Sequence, residues 1–452
     1  MAVKFIPIDR DHPYIFPPSV QDYLPEGHLA RFIADIVDGL DLNHLSGAYS
    51  GKGSKPYHPS MLVALLFYGY ATGVFSSRKL EKASYDSIAF RYICANTHPD
   101  HDTISVFRKR FLRELEALFV EILLVAEAMG LLKLGNVSLD GTRIKANASK
   151  HKALSWGHAN KLEAQLKGEV EELMRLAEEA DQSSLPEEMS IPEELERREI
   201  RLKAIEQAKV EIQRRAQVRF EKEQDEYEAK KAKREAYEKE SGNKARGRKP
   251  VPPEAGPHPK DQVNLTDEES RIMPSSSGGF EQAYNAQAGV DVDSHLIVEQ
   301  HVTQHPNDKQ EIQPALERIE ALPDALGKVE NMLADTGYYS EANVNLCKDD
   351  GIKPLIPEKR EKHNPPLMDR FKEPAKPTQD LSAVDAMKHR MQTKAGKSLY
   401  AKRKSTVETI FGIIKQVQGF RQFLLRGIDS VQGEWSLVCI GWNLKRMHAL
   451  NS

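Results

Sequence analysis

A stretch unlike the rest of the chain constrains the fold most. Residues 159–239 are dense in charge and carry a thin apolar seam. It runs through Leu162, Leu166, Val170, Leu173 and Leu176, then Leu202, Ile205, Ile212, Ala216 and Phe220. Such spacing puts the apolar residues on one helical face. Asp181-Gln-Ser-Ser-Leu-Pro186 and Ser190-Ile-Pro192 interrupt the seam, which predicts a helical hairpin of coiled-coil character. Strand-like patterns flank it on both sides. The hairpin is therefore an insertion, and the strands before and after it must close one domain.

Before the insertion, Val137 and Leu139 alternate with Ser138 and Asp140, a strand pattern. Asp140-Gly141 ends or bends that strand, and Lys145 and Asn147 continue a second short extended piece. After the insertion, Tyr284–Asp291 and Leu296–Val302 form a hairpin about the turn Asp293-Ser-His. Residues 309–322 suit an amphipathic helix. Val329–Asp335 reads as a strand ending on an aspartate, Ser340–Asp350 as a helix and Ile352–Pro357 as a short strand. Residues 358–393 are charged, proline-bearing and irregular, and residues 431–450 form an apolar helix with Trp435 and Trp442.

The first 130 residues are mostly helical in pattern. Pro59 opens one helix, as proline does at a first turn. Ser76 or Ser77 caps a second, through Leu80, Tyr85, Ile88, Phe90 and Ile93. A third runs from Asp102 to about Gly130, with Arg108, Lys109, Arg110 and Arg113 near its start. Two helices, a short connection and a basic helix suit a helix-turn-helix DNA module, although a plain helical bundle has the same pattern. After the insertion, Lys244-Ala-Arg246-Gly-Arg248-Lys-Pro250 resembles a minor-groove AT-hook. Lys249 departs from that pattern, and a basic linker is the alternative.

Among 452 residues the net charge is −3, so any nucleic-acid surface must be local. Cys94, Cys347 and Cys439 fall in no metal spacing, which suits a reducing compartment. The N-terminus lacks a signal-peptide core. The apolar run around Met61–Ala71 is too short to span a bilayer. These features predict a cytoplasmic protein.

The stretch Tyr400–Lys415 concentrates the chemistry. Val407, Ile410, Phe411, Ile414 and Val417 form a helical stripe with Glu408 at its margin. Lys415 lies on nearly the same face, since seven residues at ~100° each return within ~20°. Lys394, Lys397, Lys402, Arg403, Lys404, Lys415, Arg421 and Arg426 surround that single acid. A carboxylate in such a field is ionised and suited to hold a metal beside a polyanion. Two strand-terminal acids, Asp140 and Asp335, complete a set of three. Three carboxylates can hold two hard divalent cations, and such a pair activates and stabilises the oxygens of phosphodiester cleavage.

Three blocks now coincide: Leu139-Asp140-Gly-Thr-Arg-Ile-Lys-Ala-Asn-Ala-Ser, Ala334-Asp335-Thr-Gly-Tyr-Tyr, and Tyr400…Arg403…Glu408…Lys415. With His58-Pro59-Ser-Met-Leu and His101-Asp-Thr-Ile-Ser-Val-Phe-Arg, they resemble bacterial insertion-sequence transposases of the DDE type, in the group with a Tyr-Arg-Glu-Lys signature. One spacing departs: four residues separate Arg403 from Glu408 where that group has three, so Lys404 fills the expected slot.

The resemblance implies an α/β ribonuclease-H-like catalytic domain with an all-α N-terminal domain and a helical-hairpin insertion. The expected segments are a DNA-binding domain at 1–130, the first catalytic part at 131–158, the insertion and basic linker at 159–260, and the catalytic remainder at 261–452. Asp140, Asp335 and Glu408 are the expected catalytic residues and ligands of two Mg²⁺ ions, for which Mn²⁺ can substitute. Tyr400, Arg403, Lys404, Lys415, Arg108, Lys109, Arg110, Arg246 and Arg248 are the expected DNA contacts. The partners implied are double-stranded transposon-end and target DNA, and a homodimer or higher assembly at the nucleoid. The competing readings are a catalytically silent DNA-binding derivative and a plain metal-dependent nuclease.

Overall fold

The computed structural model describes residues 19–49, 55–180, 191–275, 278–359, 373–375 and 381–452. The expected interruption of the hairpin at 181–190 and much of the irregular 358–393 stretch lie outside them. The chain divides into two compact units, Met1–Ile144 with Asn285–Ser452, and Lys145–Tyr284.

The first unit opens with helices α1 (Val20–Tyr23), α2 (Leu29–Asp38), α3 (Asn43–Ser46), α4 (Pro59–Thr72), α5 (Ser77–Asp86), α6 (Ile88–Ile93), α7 (His101–Arg110) and α8 (Leu112–Ala128). Pro59 begins α4 beneath a His58 cap, and Gly73, at φ 83°, ends it in the left-handed region. Asp100 caps α7 by accepting from the Thr103 amide, two residues before the expected start. Two expected helices are each broken. Ser87 is extended and separates α5 from α6. Phe111, at φ −109° and ψ 25°, separates α7 from α8.

The sheet of this unit has the order β6 (Ile297–Thr303), β5 (Phe280–Asp291), β1 (Leu134–Lys145), β7 (Gly327–Leu333), β8 (Lys353–Leu355). β5 and β6 are antiparallel, whereas β1, β7 and β8 run parallel. With α11 (Ile312–Glu320) and α12 (Glu341–Asp349) in the connections around β7, this is the mixed sheet of a ribonuclease-H-like fold. β1 does not end at Asp140-Gly141 but continues unbroken to Lys145. After it come α13 (Ala383–Gln392), α14 (Lys394–Ala401), α15 (Val407–Gly412) and α16 (Ile428–Leu450).

α16 is the joint of the unit. It packs against α4 and α8 and also against β6. Asn443 exchanges two hydrogen bonds with the backbone of Ile297, and the Trp435 indole donates to the carbonyl of Gln287. The N-terminal helices therefore share one core with the sheet. This also corrects the expectation for Arg108. Its guanidinium is 5% exposed and donates to the Tyr70 hydroxyl at 3.1 Å and the Phe75 carbonyl at 3.0 Å. Tyr70 in turn donates to the fully buried Glu434. Arg108 neutralises an interior carboxylate and cannot reach DNA, whereas Lys109 and Arg110 on the same turn are exposed.

In the second unit, β2 (Ala153–Ser155) pairs antiparallel with β3 (Gln262–Asn264) beside the helices α9 (Trp156–Ala180) and α10 (Ile191–Ser241). β4 (Arg271–Pro274) pairs with the first residues of β5. Leu166, Ile205 and Ile212 of the expected seam are buried, together with Leu154, Ala159, Ala208 and Val263. Lys209–Glu163 and Arg198–Glu169 ion pairs cross between the helices. The insertion thus carries its own small core and sheet, over a wider span than 159–260. Lys152 and Leu265 are joined by a 2.9 Å backbone hydrogen bond. Deleting residues 153–264 and linking those ends through a few glycines removes this core as a whole. The shortened protein is expected to keep a cooperative melt, measured by calorimetry. An insoluble or non-cooperative product would mean that the insertion is part of the main core.

Candidate active site

β1 and β7 are neighbouring parallel strands with Ser138 opposite Leu333. Asp140 follows two residues on within β1, and Asp335 two residues after Leu333, in the turn just past the end of β7. The two acids are near enough for their charges to interact. Asp335 also caps a short turn, accepting from the Gly337 amide at 2.7 Å. Glu408 comes from the first turn of α15. One side chain ties the set together: Arg403 donates to Asp140 Oδ2 at 3.1 Å and, through its other terminal nitrogen, to Glu408 Oε1. The sequence places these acids 195 (335 − 140) and 73 (408 − 335) residues apart.

Burial pushes the Asp140 carboxyl up to about 7; Arg403 opposes this, while Asp335 and Asp308 add to it. Asp140 and Glu408 share one cationic partner, the Arg403 guanidinium. Among the described residues, no three His, Cys, Asp or Glu side chains stand in metal-holding geometry. The donor set still fits a hard divalent cation, being carboxylate oxygens that already hold a cationic group.

The basic residues are distributed unevenly. Arg403 bonds the acids, while Lys404 is exposed; both line a small hollow with Tyr400, Lys397 and Met391. The Lys415 amine donates to the Arg143 carbonyl on β1 at 2.8 Å. Burial, with Arg143 nearby, lowers its pKa to about 8. Past Gly412 the helix widens into a π turn over Ile413–Val417. The wider turn explains why Val417, expected in the buried stripe, is 72% exposed. In the insertion unit, Arg246 and Arg248 are exposed, while Arg234 of α10 holds the carbonyls of Ala245, Gly247 and Arg248.

The sequence reading missed a fourth acid, Asp308, in the connection between β6 and α11. The same connection is anchored by a chain of hydrogen bonds: buried His301 bonds Glu299 and Glu311, and Glu311 also bonds the half-exposed His305. Burial alone would lower the His301 pKa, but the two glutamates outweigh it and hold the ring at about 9. Burial likewise works against the Glu311 charge, and the two histidines outweigh it, holding the pKa at about 2. Alternation in β6 puts Glu299 and His301 on one face, which was the only signal available.

Residues 255–444 match the family model described as Transposase DDE domain, and residues 18–110 match that described as Transposase domain (DUF772). No curated protein and no solved structure matches the chain. With this fold, the similarity to a transposase DDE domain implies an enzyme of the nuclease and transposase class. The two matches together support an insertion-sequence transposase of the DDE type. Such enzymes act on DNA and generally use divalent metal ions. Asp335 and Glu408 lie inside the longer match, and Asp140 lies before it.

Proposed function

We propose that this chain binds the ends of an insertion sequence, cuts them and joins them to target DNA, in the manner of the Tyr-Arg-Glu-Lys group. The observation that carries this reading is the single guanidinium bonded to both Asp140 and Glu408, with Asp335 in the turn that follows the neighbouring strand. Asp140, Asp335 and Glu408 are the residues that would hold Mg²⁺, with Mn²⁺ as a substitute. Divalent ions held there would supply activation of the attacking oxygen and stabilisation of the leaving oxygen of a phosphodiester. One acid on a strand, one in the turn after the neighbouring strand and one on a helix would be their ligands. Arg403, Lys404 and Lys415, with the Tyr400 hydroxyl, face the DNA backbone; Lys109 and Arg110 are further contacts, and in the insertion unit Arg246 and Arg248 contact DNA in their own right. The protein works in the cytoplasm as a homodimer or larger assembly on DNA.

A strand-joining assay on the element's own flanking DNA in Mg²⁺ tests this reading. Joined products are expected. Cleavage without joining would favour a plain nuclease, and binding without cleavage a silent derivative.

The role of Lys415 is tested separately. As a phosphate contact it neutralises backbone charge without reading bases. Lys415→Ala should therefore weaken binding on all sequences alike and lower the slope of log affinity against log salt by about one. Cleavage should fall further than binding, because charge grows at the reacting phosphate. Measured beside it, Arg403→Ala and Lys404→Ala show which of the two fills the displaced arginine slot. Wild-type behaviour of Lys415→Ala in both assays would reduce Lys415 to a structural tie to β1.

A further inference from the structure

Asp308 stands near Asp140, and among the described residues no cationic side chain holds it. Its Oδ1 accepts from Asn285 Nδ2 and Gln287 Nε2, each at 2.7 Å, and both donors are uncharged carboxamides on β5. Gln287 in turn accepts from the hydroxyl of Tyr338, three residues after Asp335. The neighbouring backbone leaves room for this array. A Cβ on Gly141 would lie 2.2 Å from Gln287 Nε2 and 2.4 Å from Asp308 Oδ1. A Cβ on Gly337 would lie 2.8 Å from Asp335 Oδ1 and 3.8 Å from Asp308 Oδ2. Gly141 follows Asp140 directly and Gly337 comes two residues after Asp335, so the carboxylate borders both acids.

The two carboxamides need only an acceptor, which the carbonyl of an asparagine supplies equally well. A carboxylate instead adds like charge next to Asp140 and Asp335, and that charge opposes theirs. It becomes favourable when a divalent cation is bound among them. We infer that Asp308 supplies a fourth negative charge that raises the affinity of the Asp140–Asp335–Glu408 site for a divalent cation. Its Oδ1 is fixed by Asn285 and Gln287, and its Oδ2 is directed to the Asp335 turn. The inference rests on the proposed reading of that site as metal-binding.

The test is Mn²⁺ titration by calorimetry of the full-length Asp308→Asn protein, with its melting temperature measured in chelator. The asparagine carbonyl preserves the bonds to Asn285 and Gln287 while the charge is lost. Mn²⁺ binding is expected to weaken by about tenfold or more, and melting in chelator should be unchanged or raised because a repelling charge is gone. Wild-type Mn²⁺ affinity would overturn the inference. So would a lower melting temperature in chelator, which marks a merely structural carboxylate. Asp335→Asn is the control. If it loses Mn²⁺ binding while Asp308→Asn does not, only the role of Asp308 fails. If Asp335→Asn itself binds Mn²⁺ normally, the reading of the whole site fails.

Discussion

Glu408→Gln is expected to reduce DNA cleavage and strand joining by roughly 10³-fold or more, with end binding close to wild type. The amide preserves the shape of the side chain but not the charge that a hard cation requires of its ligand. The cost to the fold should be small. Glu408 is 44% exposed, and its partner in the folded protein is Arg403. The glutamine carbonyl can still accept from Arg403, and Arg403 keeps its bond to Asp140, so melting should change little. Asp140→Asn and Asp335→Asn should lose activity to the same degree, because residues acting as one unit are not additive. Cleavage assays in Mg²⁺ with an end-binding assay in parallel measure both quantities. Cleavage at the wild-type rate by Glu408→Gln would remove Glu408 from the site.

Arg108→Ala should have the largest effect on stability. Its guanidinium bonds Tyr70, and Tyr70 bonds Glu434, whose other oxygen accepts from the amides of Leu424 and Leu425. Removing the only charged partner among these leaves Glu434 buried and uncompensated, which typically costs about 3–5 kcal/mol. The effect should depend on pH. Burial already raises the Glu434 pKa, with Arg108 pulling it down. Without Arg108 the folded-state pKa rises further above its unfolded value, so the folded protein binds a proton more readily than the unfolded one. Stability of the variant should therefore recover as pH falls from neutrality toward about 5. Urea unfolding at several pH values checks both the size and the sign. An Arg108→Ala protein of wild-type stability that binds DNA weakly would restore the surface role expected from sequence.

How far the sequence reaches differs from residue to residue. Pro59 and His58 start α4 where the pattern predicted, because a cap and a fixed φ act within one turn. The hairpin of β5 and β6 and the buried residues Leu166, Ile205 and Ile212 were legible for a similar reason. Alternation and helical period are written in neighbours a few positions apart. The break at Phe111 was not legible, since nothing in the apolar pattern of α7 and α8 marks it.

Charge was the least legible property. Arg108, Lys109 and Arg110 are consecutive and alike on paper, yet Arg108 faces Glu434, which is 326 residues away (434 − 108). Arg403 and Lys404 are neighbours and alike on paper, yet it is Arg403 that donates to Asp140 Oδ2. Asp308 looked like any loop aspartate, because the amides that hold it and the glycines that admit it belong to β5, β1 and the Asp335 turn.

By itself, then, the sequence determined most of the helices and the longer strands, the presence of an insertion, and the three blocks bearing Asp140, Asp335 and Glu408. Only the tertiary structure decided that β1 lies between β5 and β7, which sets Asp140 beside Asp335, and which cations turn inward to the acids. The reason is physical. Periods and caps arise from interactions within one or two turns, whereas a charge finds its partner through strand register and helix packing, which bring together residues separated by hundreds of positions.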